Sequence, residues 1–350
     1  MSNTSAIIRF CVATLCCALL LSYCSYQCLF KSNNVVFAVD APIQNLTSSS
    51  ALETTSENTE NQTENQSVEQ VESQTDDTSS VAVSATGVVQ GKIIEKFISP
   101  YTANNSYNNV YLKNNTNLDI NLKEFVDGKI NFNIEKNSQP QVLILHTHAT
   151  EGYLLHNENY YTDTDSSRTT NNEYNMVALG KIISDKLNEA GITTLHDTTQ
   201  HDYPSYNSSY SRAAETICNY TQKYPDIKIV IDLHRDAIAE NDTDKVKVVT
   251  EINGKKAAQI MLVMGSQSGN VTNFPNWREN LKLAAKLQQT IEVMYPTLAR
   301  SIHFMSKNYN ESLTNGSLLI EIGTDGNTLD EAKYSAELLS QALISLLNTL

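Results

Sequence analysis

The stretch QVLILHTHATEGY, residues 141–153, joins a short continuous apolar run to a cluster of histidines and a carboxylate. Three further runs of the same kind follow: KIVIDLH (228–234), QIMLVMG (259–265) and SLLIEIG (317–323). Runs of this length, without polar alternation, read as strands buried on both faces of a parallel sheet. Amphipathic stretches lie between them. Met176, Leu179, Ile183 and Leu187 recur at helical spacing before Gly191, which reads as a stop. Thr328-Leu-Asp-Glu331 has the pattern of a capping box, and Leu338, Leu339, Ala342 and Leu346 follow on one helical side. Strands alternating with helices predict an α/β fold: an open, doubly wound, mostly parallel sheet with flanking helices.

Functional groups in such sheets gather at the carboxyl ends of the strands. His146 and His148 end the first run, His234 ends the second, Glu151 follows closely, and Glu321 stands inside LLIEIG. A carboxylate among buried aliphatics is costly unless it is paired, protonated or beside a metal. Imidazoles and carboxylates converging on one sheet edge suit a hydrolytic zinc site, which takes nitrogen and oxygen ligands and needs a base nearby. Each signal has a plainer reading, because a single strand-end histidine is often satisfied by a backbone carbonyl. His156, His196, His201 and His303 lie in loops or beside turns and read as structural. Arg235 beside His234 would clamp a substrate carboxylate or, equally, pair with Asp236 to steady a loop. Tyr309-Asn310-Glu311 reads as a turn, and Glu173 as a residue favoured by the helix dipole before Met176. No GxSxG, Walker, GxGxxG or HExxH pattern is present, which removes serine esterases, nucleotide enzymes and classical zincins.

Outside this region the chain changes character. Residues 10–30 carry no charge and match the length of a bilayer core, with Arg9 before and Lys31 after. They read as a transmembrane anchor, within a segment 1–35, with a cleaved secretory signal as the competing reading; in either case the remainder is exported. Residues 36–88, and above all 43–88, are dominated by Ser, Thr, Asn, Gln and Glu, and cannot bury enough apolar surface to fold. They read as a disordered tether, leaving 89–350 as the catalytic domain, clearest from 140. The arrangement of 88–135 is not legible. The net charge of −14 disfavours nucleic acid as a partner, since phosphate binding needs clustered Lys and Arg. Of six cysteines only Cys218 lies beyond the N-terminal stretch, so the domain needs no disulfide and holds no cysteine-rich zinc site.

In order, VLILHTHATEGY, KIVIDLHRDA, INGKKAAQIMLVMG, NFPNWRENLKLA, NYNESL and LLIEIGTDGNTLDEA resemble the stage II sporulation protein P family, from about residue 140 to the C-terminus. The resemblance implies a membrane-anchored peptidoglycan hydrolase of an endospore former, its domain facing the space between mother cell and forespore. It implies action during engulfment with stage II sporulation proteins D and M. The implied reaction is cleavage of the N-acetylmuramoyl-L-alanine amide and of peptide cross-links, in a domain related to zinc-dependent amidases. Carried over, His146, Glu151 and His234 are the expected zinc ligands and Glu321 the catalytic glutamate. His148 becomes a supporting or transition-state-stabilising group, with exchange between His146 and His148 left open. Two departures stand out: Glu311 where glutamine is expected, and Gly152 where a larger or hydroxylated residue is common. The rival functions are a zinc carboxypeptidase acting on stem peptides and a non-catalytic wall-binding module.

Overall fold

The computed structural model describes residues 87–350. The expected anchor, and all but the end of the expected tether, lie outside these residues. Among those described, no helix is long and apolar enough to cross a membrane. In chain order the elements are β1 (Val89–Lys96), β2 (Asn105–Tyr107), β3 (Val110–Asn114), α1 (Leu122–Asp127), β4 (Val142–Leu145), β5 (Tyr160–Thr162), α2 (Met176–Glu189), β6 (Thr194–His196), α3 (Ser209–Lys223), β7 (Ile229–Asp236), β8 (Lys245–Ile252), β9 (Lys255–Ala258), β10 (Ile260–Gly265), α4 (Trp277–Met294), β11 (Ile302–Met305), β12 (Ser317–Thr324) and α5 (Leu329–Leu347).

Each of the four apolar runs forms a strand of one eight-stranded sheet, ordered β2-β3-β11-β10-β12-β7-β4-β6. Strands β6, β4, β7 and β12 are parallel to one another, and so are β10, β11 and β3. The two groups meet antiparallel at β10 and β12. This reversal is the antiparallel part of a sheet expected to be mostly parallel, and the sequence did not locate it. Its cause lies in the connection: no helix separates β7 from β10, and parallel neighbours need a crossover that only such an element supplies. Instead the chain builds β8 and β9, a hairpin closed by Asn253 and Gly254 at φ 52° and 76°, and turns straight back. The hairpin belongs to a second sheet, β5-β1-β8-β9, which sequence patterning did not suggest.

Strand residues alternate between two faces. Val142, Ile144, Ile229, Ile231, Leu233, Ile320 and Ile322 pack in one large cluster with residues of α2, α4 and α5. On the opposite face Leu143, Leu145 and Val230 pack against Ala213 and Ile217 of α3, and Met261, Val263 and Leu319 pack on Tyr309. The expected helix stripes are buried: Met176, Leu179, Ile183 and Leu187 on α2, and Leu338, Leu339, Ala342 and Leu346 on α5. The Asn175 side chain caps α2, and Gly191 follows it at φ +80°. The capping box forms at Thr328 and Glu331, and Glu331 also meets Lys247 of β8 at 2.7 Å, joining the second sheet to α5. Cys218 is buried on α3.

Candidate active site

Face alternation decides which polar strand residues meet. On β7, Asp232 and His234 follow Val230 and face the α3 side. On β12, Glu321 follows Leu319 on that side and is the register partner of His234. His146 follows Val142 and Ile144, so it faces α2, on the other side of the sheet. Its Nδ1 lies 3.1 Å from the Leu233 carbonyl and its Nε2 2.9 Å from Nε2 of His196. A carbonyl only accepts, so Nδ1 carries the proton and Nε2 accepts from His196. Burial, then the neighbouring His196, pushes the His146 pKa down to about 3. A Cβ at Gly180 of α2 would come within 2.7 Å of His146 Nε2, so the helix is glycine there to admit the ring.

His148 escapes this alternation because β4 ends at Leu145 and a turn follows. Asp232 fixes the turn, accepting from Thr147 N at 2.8 Å and Thr147 Oγ1 at 2.6 Å. Asp202 does so again at Thr150 Oγ1, 2.6 Å away. The His148 ring consequently stacks on Tyr206 at 4.6 Å and stands edge-on to His234 at 4.9 Å. Its Nδ1 is 3.5 Å from Glu151 Oε1. One ligand atom from each of His148, Glu151 and His234 lies within 4.8 Å of the others, and all three residues are buried. The structure thus groups His148, not His146, with Glu151 and His234, which is the exchange the sequence left open.

Electrostatics tie the group together. Glu151 Oε2 accepts from the Arg235 backbone N–H at 3.0 Å and lies 3.8 Å from His234 Nδ1. Burial alone would raise Glu151, but the His148 hydrogen bond and the charges of His234, His148 and Arg235 hold it at about 2. His234 Nε2 lies 3.0 Å from Asp232 Oδ1, off the line of a hydrogen bond. Burial opposes a charge on His234, yet Asp232, Glu151 and Glu321 lift its pKa to about 10. Asp232, penalised by burial but facing His234 and Thr147, falls to about 2. Glu321 is half-buried, with Oε2 enclosed and without a hydrogen-bond partner. Burial pushes its pKa up to about 8; Asp236 and Glu151 add to this, and His234 and Arg235 oppose it.

Arg235 departs from expectation. It follows Leu233 on the α2 side, is buried, and donates to the carbonyls of Asp236 at 3.1 Å and Ser167 at 2.9 Å. A guanidinium spent on backbone carbonyls is not a substrate clamp, and the Asp236 carboxylate pairs with Arg300 instead, at 2.8 Å. Arg168 stands nearer the group: it meets Asp202 at 2.6 Å and Glu151 at 3.6 Å and lies 4.8 Å over the Tyr206 ring. Sequence reasoning missed Asp232, Asp202, Arg168 and the Tyr206–Tyr210 pair of rings. Asp232 had a signal, since a carboxylate inside IVIDLH is the same anomaly as Glu321 inside LLIEIG. The others lie in loops or on an ordinary helix and had none. Glu311, the departure from the expected glutamine, is buried in a turn and accepts from Gly265 N at 2.8 Å. Burial raises its pKa well above the usual carboxylate range, opposed by the Gly265 hydrogen bond.

Two imidazoles and a carboxylate, buried and convergent, are the type of donor set that a hydrolytic zinc site uses. Asp232 behind His234 is the type of partner that orients a ligating imidazole. The residues present fit the metal.

A sequence model of the family described as Stage II sporulation protein P (SpoIIP) matches residues 27–344. Stage II sporulation protein P of Bacillus subtilis (strain 168) is 29% identical over 208 residues, covering 56% of this chain and 48% of that one. The chain therefore spans about half the length of that curated relative. Among solved structures, an N-acetylmuramoyl-L-alanine amidase from Clostridium difficile 630 is 16% identical with a TM-score of 0.35, over 61% of this chain and 99% of that one. The CwlD amidase from Clostridioides difficile, solved with the GerS lipoprotein, is 12% identical with a TM-score of 0.34, over 60% and 97%. Likeness at such scores says nothing of this chain's chemistry. The family match runs across most of the sequence, and by it the chain belongs to the stage II sporulation protein P family.

Proposed function

We propose that this protein is a membrane-anchored, zinc-dependent peptidoglycan hydrolase that cleaves the N-acetylmuramoyl-L-alanine amide, and peptide cross-links, during engulfment of the forespore. On this reading residues 1–35 anchor the chain, 36–88 tether it, and 89–350 reach the wall between the two membranes. Its partners are peptidoglycan and, as in the family it belongs to, stage II sporulation proteins D and M. One observation carries the catalytic part: a buried His148–Glu151–His234 group with the partnerless Glu321 carboxyl beside it.

Zinc held by His148, Glu151 and His234 would polarise the scissile carbonyl and lower the pKa of a water. Glu321 supplies the proton traffic. Its Oε2 has no competing partner, and burial pushes its pKa up to about 8 in the metal-free protein, both of which suit a group that takes and returns a proton. It takes a proton from the attacking water as the C–O bond forms, then delivers it to the departing amine as the C–N bond breaks. Asp232 holds His234 and the Thr147 turn in register, so both imidazoles keep their orientation. Arg168 assumes the cleft-facing role expected of Arg235, with the Tyr206 ring fixing its plane.

The test is metal content alongside digestion of sacculi by the purified whole chain, as wild type and as His234→Ala. The expected result is about one zinc per chain and released fragments with free lactyl termini, both lost in the variant. No bound zinc and no release with zinc supplied would leave a wall-binding module in its place.

A further inference from the structure

A cavity of about 300 Å³ is lined in part by Met261 of β10. Met261, Lys113, Arg300 and His303 line it, and the 98–104 segment forms its rim. Strand register connects it to Glu321. Met261 on β10 is the cross-strand partner of Glu321. His303 on β11 pairs with Val263, and Lys113 on β3 pairs with His303. Alternation therefore puts Met261, His303 and Lys113 on the same sheet face as Glu321. With strands about 4.8 Å apart, His303 is roughly 10 Å and Lys113 roughly 15 Å from the Glu321 strand.

The lining is rich in unused donors. Lys113 is exposed, and among the described residues no carboxylate lies within ion-pair distance of it. Arg300 is mostly enclosed; its Nη1 meets Asp236 at 2.8 Å, but its Nε is buried with no acceptor. Arg300 also links the cavity to the catalytic edge, because Asp236 closes the strand that carries His234. His303 is half-buried, and its pKa is lowered by burial and then by Lys113 and Arg300, with Asp236 opposing.

We propose that this cavity is a subsite for a carboxylate on the peptide arm of the substrate, three to four residues from the scissile bond. A chain spanning roughly 10–15 Å at about 3.3–3.6 Å per residue has that length. The assignment rests on the hydrolase reading above, since a muramoyl peptide is what would lead from Glu321 to Lys113. It also gives the cleft a polarity, with the peptide running over Met261 towards β3.

The test compares wild type, Lys113→Gln and Lys113→Arg as whole chains on a soluble muramoyl tetrapeptide and on its counterpart with the peptide carboxyls amidated. Lys113→Gln is expected to raise KM about two- to fivefold on the free-acid substrate, the range for a partly exposed ion pair. Its kcat and its KM on the amidated substrate stay at wild-type values, and Lys113→Arg restores the first KM. An unchanged KM on the free acid, or an equal rise on both substrates, overturns the proposal. If wild type cleaves neither substrate, the hydrolase reading fails separately, and titration of the free tetrapeptide decides the subsite. Weaker binding by Lys113→Gln then supports it; equal or absent binding overturns it.

Discussion

Alanine at His146 and alanine at His148 are expected to damage this protein in opposite ways. The His146 ring is fully enclosed between β4 and α2, donating to the Leu233 carbonyl at 3.1 Å and accepting from His196 at 2.9 Å. Truncation strands that carbonyl and leaves the His196 N–H without its acceptor, at a cost of about 1–3 kcal/mol. The vacated ring volume adds a cavity term of roughly 1–2 kcal/mol. The sum is about 2–5 kcal/mol, and at about 2–4 °C per kcal/mol for a domain of this size, Tm falls by roughly 4–20 °C. The proposed zinc ligands lie on the opposite face and keep their positions, so metal content is expected to hold.

His148 sits on the other side, stacked on Tyr206. Its loss leaves the core intact and removes one of three ligands. Structural zinc is worth about 10–16 kcal/mol over four ligands, so one ligand accounts for roughly 3 kcal/mol, or on the order of 10²-fold in affinity. The assay is thermal melting in chelator, where metal does not contribute, followed by metal content after dialysis at fixed free zinc. His146→Ala that melts like wild type but loses zinc would refute the facing of the two rings, and with it the ligand set.

Glu321→Gln is expected to lower turnover on sacculi by on the order of 10²–10⁴ while zinc content and Tm hold, because the amide fits the same space and lacks only the proton exchange; near-normal turnover contradicts the role. Zinc binding at pH 7 is expected to expel about one proton per chain, since His234 sits at about 10 in the metal-free protein and a ligating imidazole must shed its proton. Raising the pH removes the competing proton, so apparent affinity climbs about tenfold per unit from pH 7 to about 9; calorimetry in two buffers of different ionisation enthalpy measures the release, and affinity independent of pH would take His234 off the metal. Gly180→Ala ordinarily gains about 1 kcal/mol in a helix interior, but here the new methyl meets His146 Nε2 at 2.7 Å. A net loss of about 1–3 kcal/mol is expected from overpacking, and a raised Tm in chemical or thermal melts would be the contrary result.

The local elements were legible because their patterns are physical signatures of burial. LILH, IVIDLH and LLIEIG could bury uninterrupted aliphatics only as interior strands, and the stripe from Met176 to Leu187 could bury its residues only as a helix. The reversal at β10 was not legible, because QIMLVMG is equally apolar in either direction. It had one overlooked cue, the Asn253-Gly254 turn, which makes 245–258 a hairpin and removes the crossover a parallel β10 would need. His146 and His148 were not separable from HTH, because side-chain facing is defined only while the strand lasts, and the strand ends at Leu145. Arg235 was misplaced by the same route: its neighbour His234 faces the site, so Arg235, one residue on, faces away.

Connectivity explains why the group forms where it does. From β4 the chain passes through α2 to β6 on one side of β4, then through α3 to β7 on the other. The two helices lie on opposite faces of the sheet, as right-handed crossovers in opposite directions require. The loops leaving β4 and β7 therefore diverge, and a crevice opens between adjacent strand ends, where doubly wound sheets bind their ligands. His148 and Glu151 come from the β4 loop and His234 from the end of β7, one from each lip. Asp232 spans the lips by holding Thr147 of one and His234 of the other. Glu321 joins from β12, the last strand that points its carboxyl end at the crevice before the sheet reverses. On its far side β10 begins at that same end, so the reversal places the start of a strand, with Met261 of the Lys113–Arg300–His303 cavity, beside Glu321. An all-parallel sheet would instead have set another strand-end loop there, and Met261 would not pair with Glu321.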